Sequence, residues 1–169
     1  MWREIVDYFQ DSPQRLRVAQ AIIRHGLRVE SPGAIRCGSI RIPLKALGNA
    51  LGVDRRTVQM TTERIWENPR MKEFFRNLDP AGPSLERVSR MLGYGVVTIF
   101  VEAPGNVGIL SDVTSTIAGY RVPIRQVIAE DVAIYEEPCL KVITEKPLSG
   151  NVIETLTSIR GVKKVIIQR

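Results

Sequence analysis

Between Gly95 and Tyr120 a continuous apolar run turns, through a stretch of proline and glycine, into an amphipathic pattern. This change of period limits what the chain can fold into. Val96, Val97, Ile99, Phe100 and Val101 form a β-branched and aromatic run, which suits a strand covered on at least one face. Glu102-Ala103-Pro104-Gly105 stops it. After Asn106-Val107-Gly108, the residues Ile109, Leu110, Val113, Ile117 and Tyr120 recur at three- and four-residue spacings, so one helical stripe can lie back on a sheet. The first N–H groups of such a helix are free and point into the turn, which suits a small anion or carboxylate; a plain turn has the same pattern.

The rest of the C-terminal half completes a plan. Ile124–Ala129 reads as a second strand, Cys139–Thr144 as a third, Leu148–Ile159 as a second helix and Val162–Ile167 as a fourth strand, by the same periodicities. The order β-α-β-β-α-β is the split βαβ, ferredoxin-like arrangement. With it, Glu102-Ala103-Pro104-Gly105 followed by Gly108-Ile109-Leu110-Ser111-Asp112-Val113-Thr114 resembles the acidic-x-Pro-Gly turn and helix of the ACT domain, over roughly 94–169. Asn106-Val107 departs from that pattern as a two-residue insertion that widens the turn. ACT domains are regulatory modules, many of which bind an amino acid near this turn at a subunit interface. The resemblance therefore implies ligand contacts at Pro104, Gly105, Asn106, Val107, Gly108 and Ile109, with an effector carboxylate on the N–H groups near Asn106 to Ile109.

Charge separates the two halves. Residues 1–93 hold 16 Lys and Arg against 10 Asp and Glu, whereas 94–169 hold 8 against 8, so the net +6 is N-terminal. A basic domain beside a neutral one fits a polyanion, most simply nucleic acid; a solubilising surface is the other reading. The apolar and charged fractions, 44% and 25%, are those of a globular protein. No apolar run approaches the roughly 20 residues of a membrane span, and Trp2-Arg3-Glu4 does not begin a signal peptide. The expectation is a cytoplasmic protein without membrane contact. Cys37 and Cys139 stand far apart and His25 is the single histidine, which argues against a zinc site, another metal centre or a disulfide framework.

In the N-terminal half, Trp2 to Gln10 forms a short helix and Ser12-Pro13 starts the next, through Leu16, Val18, Ala19, Ile22 and Ile23 to His25-Gly26. From Leu27 to Pro43 the pattern shortens to alternating stretches around Ser31-Pro32-Gly33, expected as a small hairpin or an extended loop. Arg28, Arg36 and Arg41 there either touch phosphates or keep an edge strand soluble. Pro43 then opens a helix through Leu44, Leu47 and Leu51; Gly52-Val53-Asp54 makes a turn; and Asp54 caps a helix through Val58, Thr61, Thr62, Ile65 and Trp66. This resembles a helix-turn-helix, whose crossing needs a small residue at the contact, a glycine in the turn and buried apolar residues on either side. Gly48 replaces the usual alanine.

In that motif the second helix lies in the major groove, which here implies DNA contacts from Arg55, Arg56, Thr57, Gln59, Met60 and Glu63. Arginine pairs with guanine and glutamine with adenine, while Thr57 and the turn suit a phosphate. The alternative is that Arg55 and Arg56 are plain solvated residues, placed against the helix dipole, or that the motif binds protein. Asn68-Pro69 ends the helix; Met71, Phe74, Phe75 and Leu78 give another; and Asp79-Pro80-Ala81-Gly82-Pro83 reads as a linker. Ser84 caps a last helix whose stripe, Leu85, Val88, Met91 and Leu92, needs a covering surface. Twofold pairing suits both a helix-turn-helix and an ACT domain, so a homodimer or higher oligomer is expected.

No catalytic constellation is present: the sequence has no Gly-x-Ser-x-Gly elbow and no phosphate loop of the Walker type. The scattered acids Glu130, Asp131, Glu136 and Glu137 read as a solvated hairpin rather than a calcium loop. The expected architecture is α+β: a mainly helical helix-turn-helix-like domain over 1–78, a linker with a helix over 79–93 and a βαββαβ ferredoxin-like (ACT-like) domain over 94–169. Together these resemble the archaeal predicted regulators of amino-acid metabolism that contain an ACT domain. The resemblance implies a ligand-responsive transcriptional regulator, not an enzyme and without a cofactor, with double-stranded DNA and an amino-acid effector as partners. The competing reading is an amino-acid-sensing subunit that modulates a biosynthetic enzyme without binding DNA; a third takes the ACT-like half as a dimerisation module alone.

Overall fold

A computed structural model describes residues 1–103 and 105–168. The fold is α+β, and the chain divides into two compact units, Met1–Gly82 and Pro83–Arg169.

The first unit opens with helix α1 (Trp2–Tyr8) and helix α2 (Pro13–Arg24). Ser12 caps α2 by accepting from the Arg15 N–H at 3.4 Å. Val18, Ala19, Ile22 and Ile23 bury one face of the helix. The stretch expected as a hairpin or loop is a three-stranded antiparallel sheet of β1 (Arg28–Ser31), β2 (Ala34–Cys37) and β3 (Ile40–Ile42), in the order β1-β2-β3. Val29 and Ile35, paired across β1 and β2, are fully buried and fix its register. Helices α3 (Leu44–Leu51), α4 (Arg55–Glu67) and α5 (Pro69–Arg76) follow. Leu47, Val53, Val58 and Ile65 fill the space between α3, the turn and α4, while Met71 and Phe75 close the core from α5. Arg64 reaches α1, donating to the Tyr8 carbonyl at 3.1 Å and accepting the Tyr8 hydroxyl on its own carbonyl at 2.9 Å.

The second unit is a four-stranded antiparallel sheet of β4 (Gly95–Val101), β5 (Ile124–Ala129), β6 (Cys139–Thr144) and β7 (Val162–Gln168), in the order β5-β6-β4-β7. Helices α6 (Ile109–Gly119) and α7 (Gly150–Thr157) form the two crossovers. This is the expected βαββαβ plan. Val97, Ile99, Leu140 and Val142 on one sheet face pack with Val113, Ile117, Val152 and Leu156 of the helices. An antiparallel sheet can leave its other face to water; here it is covered in part. Residues 83–92 lie across it, with a 3-10 helix over Glu86–Leu92 where the sequence suggested a regular helix. Gln126 holds this segment by accepting from the Leu85 N–H at 2.9 Å and donating to the Pro83 carbonyl at 2.8 Å. Glu86 pairs with Lys141 at 3.1 Å and accepts from Gln168 at 2.9 Å. Val96, Thr98 and Ile143 are buried beneath it, and Ser89 of the segment itself is buried. The stretch 79–93, expected as a linker, is therefore divided, its second part belonging to the sheet's unit. The stripe on it faces outward: Val88, Met91 and Leu92 are exposed.

No helix among the described residues is long and apolar enough to cross a membrane.

Candidate functional sites

Two places gather the residues singled out by the sequence, one in each unit. The first is built around the start of α4. Gly52, left-handed at φ 65°, ends α3, and the Val53 N–H bonds back to the Gly48 carbonyl at 3.0 Å. A side-chain carbon at Gly48 would stand 2.7 Å from the Val53 carbonyl oxygen. Glycine here is what lets the turn close on α3. Asp54 then caps α4, accepting from the Thr57 N–H at 2.6 Å. That bond, with further hydrogen bonds from Thr57 and Arg56 and the Arg56 charge, holds the Asp54 carboxyl below its ordinary range although burial opposes it.

These contacts sort the six expected DNA-binding residues. Arg55 and Arg56 are exposed and make no ion pair among the described residues. Thr57 is committed to Asp54, so its N–H already has an anion. Gln59 donates to Glu63 at 2.8 Å. It also lies over Gly33, where an added side-chain carbon would meet its amide oxygen at 2.6 Å. The Gly33 N–H donates to the Thr62 hydroxyl at 2.8 Å, so the β1–β2 turn is seated on α4. Met60 sits against Arg15 of α2, with the guanidinium 3.8 Å from its sulfur.

Beside this seat runs a cleft of about 600 Å³ lined by residues of the β1–β2 turn, β3, the start of α3 and α4, among them Arg41, Lys45, Arg55 and Gln59. Its charged lining residues are all cationic. Of the three arginines in the small sheet, Arg36 is spent on Glu30 at 2.7 Å and the Ser39 carbonyl at 2.9 Å. Arg28 donates to the Gly38 carbonyl at 3.1 Å and lies 4.0 Å from Asp79. Arg41 is exposed and enters no ion pair among the described residues. Sequence reasoning left Arg41 undecided and passed over Lys45, because nothing in a linear pattern places β3 beside the first turn of α4.

The second place lies at the end of β4. A cleft of about 150 Å³ is lined by Val101, Ala103, Gly105, Asn106, Ile109, Leu110, Ala129, Glu130, Val132, Pro138, Cys139 and Leu140. Three of the expected ligand residues, Gly105, Asn106 and Ile109, are thus together. Val107 is fully exposed and Gly108 is the residue before α6, so neither lines the cleft; Pro104 lies outside the described residues. The Asn106 N–H is bonded to the Ala103 carbonyl at 3.2 Å, whereas the first turn of α6 has no side-chain cap. Among the described residues, the one charged residue lining it is Glu130. It accepts from the Cys139 N–H and thiol, each at 3.2 Å, and pairs with Lys141 at 3.3 Å. Burial, then Glu130, pushes the Cys139 thiol up to about 11. Burial alone would lower Lys141, but Glu86 and Glu130 outweigh it and raise it. No group of three or more His, Cys, Asp or Glu that could hold a metal occurs among the described residues.

No protein-family model matches the sequence, and no curated protein matches it. Among solved structures the chain is similar to PF0864, a transcriptional regulatory protein of the AsnC family from Pyrococcus furiosus, at 16% identity and a TM-score of 0.30, over 75% of this chain and 77% of that one. It is also similar to the crystal structure of PH0061, at 16% identity and a TM-score of 0.27, over 77% and 81%. At scores this low the likeness extends to neither function nor ligand.

Proposed function

We propose that this protein is a ligand-responsive transcriptional regulator that binds double-stranded DNA through Met1–Gly82 and an amino acid through Pro83–Arg169. The observation that carries the DNA half is the pair Arg55 and Arg56, exposed and in no ion pair among the described residues, on the first turn of a well-capped helix. Cations at a helix N-terminus oppose the dipole by a few tenths of a kcal/mol. Phosphates supply what the fold withholds. The unit as a whole agrees, with 14 Lys and Arg against 9 Asp and Glu. Two such heads in a homodimer suit half-sites one helical turn apart.

Fluorescence anisotropy on duplex DNA across a salt series tests this. Binding should weaken steeply with salt, by a slope of about 0.9 for each phosphate engaged, and R55A/R56A should flatten the slope. Salt-insensitive binding to a protein partner, unaffected by that variant, would instead support the docking-subunit reading.

The sensing half rests on the 150 Å³ cleft, which suits a small ligand rather than one of drug size. The uncapped first turn of α6 offers N–H groups to a carboxylate, and Glu130 offers an acceptor to an ammonium. A thermal-shift screen of the twenty amino acids measures it, since a ligand at a hundred times its Kd adds about 2.7 kcal/mol. A shift lost in Gly105→Val supports the cleft. No shift with any amino acid removes the sensor reading and leaves the DNA half standing.

A further inference from the structure

Part of the outer surface of α4 is engaged within the protein. Gln59 is tied to Glu63, the Pro32-Gly33 turn rests on Gln59 and Thr62, and Thr57 serves Asp54. Next to that obstruction is the basic cleft, in which Arg41 from β3, Lys45 from α3 and Arg55 from α4 line a single space. We propose that this cleft, rather than the outer face of α4, is where a DNA phosphodiester strand is gripped, with Arg41 and Lys45 as phosphate ligands that the helix-turn-helix pattern does not include.

Three features support the assignment, which rests on the DNA-binding reading above. First, the cations come from three separate elements, so the fold, not local sequence, brings them to one side; of the acids on and beside α4, Asp54 is engaged as the helix cap and Glu63 is bonded to Gln59. Second, Arg41 and Lys45 are exposed and enter no ion pair among the described residues, whereas the other two arginines of the small sheet, Arg28 and Arg36, are engaged with Asp79 and Glu30. Third, the Gly33–Thr62 bond seats the β1–β2 turn on α4, and β3, which carries Arg41, pairs with β2 of the same sheet, so the cleft has a wall on either side. Contacts to phosphate position a protein on the duplex but carry no sequence information. This cleft therefore contributes affinity that is common to all sequences.

The full-length protein and two unrelated duplexes of equal length provide the test. R41A/K45A should weaken binding to both by about tenfold or more and reduce the slope of log K against log salt by about 2. R41K/K45R, which keeps the charges, should retain most of both. Because Arg41 and Lys45 are exposed, the variants should melt with the wild type. An unchanged slope in R41A/K45A, with binding lost in R55A/R56A, would overturn the cleft assignment while the regulator reading survives. An effect of R41A/K45A on one duplex only would also overturn it, since it would make these residues base readers. Absence of duplex binding by the wild-type chain at any salt would remove both.

Discussion

At the scale of single residues, Gly48 is tightly constrained. Alanine there gains about 1 kcal/mol of helix propensity, but its side-chain carbon meets the Val53 carbonyl oxygen at 2.7 Å. Backbone cannot yield as a flexible side chain does, and overpacking of this kind costs about 1–3 kcal/mol. Gly48→Ala should therefore lower stability by up to about 2 kcal/mol, seen as an earlier urea midpoint; a later midpoint would show that the turn relaxes freely. The two cysteines make a second residue-scale case. With its thiol pushed up to about 11 and the side chain buried, Cys139 has roughly a thousandth of its population as thiolate at pH 8. Cys37 is only partly buried. A thiol-specific reagent at pH 8 should modify one cysteine in the native protein, Cys37, and both after denaturation. Rapid native labelling of Cys139 would contradict the burial.

At the scale of elements, the 3-10 segment over Glu86–Leu92 is held to the sheet by a carboxylate, an ammonium and a second carboxylate in series: Glu86, Lys141 and Glu130. Burial raises the Glu86 carboxyl, but the Gln168 and Lys141 hydrogen bonds and the Lys141 charge outweigh it and leave the group lowered. A group lowered on folding contributes stability above its unfolded value, near 4.5, and loses it as pH falls through the folded value. Lys141, raised on folding, keeps its contribution until pH rises beyond about 10.5. The seat is thus intact across neutral pH and fails in acid. Stability measured by urea should drop below about pH 4.5, and Glu86→Gln should blunt that drop. Lys141→Met leaves two facing carboxylates without their cation and should cost about 1–3 kcal/mol at pH 7. A neutral Lys141→Met would mean that the segment is held by Gln126 and packing alone.

At the scale of the whole molecule, the two units have separate cores, one around Val18, Ile22, Val58 and Phe75 and one around Ile99, Ile117, Val142 and Leu156. The chain between them is tethered at both ends. Asp79 and Pro80 pass so close to Gly26 that a side-chain carbon there would meet backbone at 2.7 Å, and Pro83 is held by Gln126. Only a few residues around Ala81 and Gly82 are left without such restraint, and these are exposed. A broad-specificity protease should cut there first and leave two resistant fragments. Loss of both halves at one rate, with no fragments, would show that neither is stable alone.

Much of this architecture was legible because it rests on local chemistry. Ser12-Pro13, Asp54 and Gly52 mark helix starts and a helix end by capping and by the left-handed residue at the turn. The alternation and length of the apolar runs named all four strands of the second unit, and their order with α6 and α7 followed from βαββαβ connectivity. The small three-stranded sheet was ambiguous, since stretches of three or four residues carry too little period to separate a strand from a loop. Candidate sites were legible only in part. Arg55, Arg56, Gly105, Asn106 and Ile109 stood out through motif and turn. The diversion of Thr57, Gln59 and Met60 to internal partners did not, nor did the gathering of Arg41 and Lys45 beside Arg55. Sequence by itself determined where elements begin, which face each buries and which half carries the charge, because capping, periodicity and composition act over a few neighbouring residues. Tertiary structure alone decided which side chains share a space, because that depends on contacts between elements distant along the chain, such as Gly33 on Thr62 and Glu86 on Lys141.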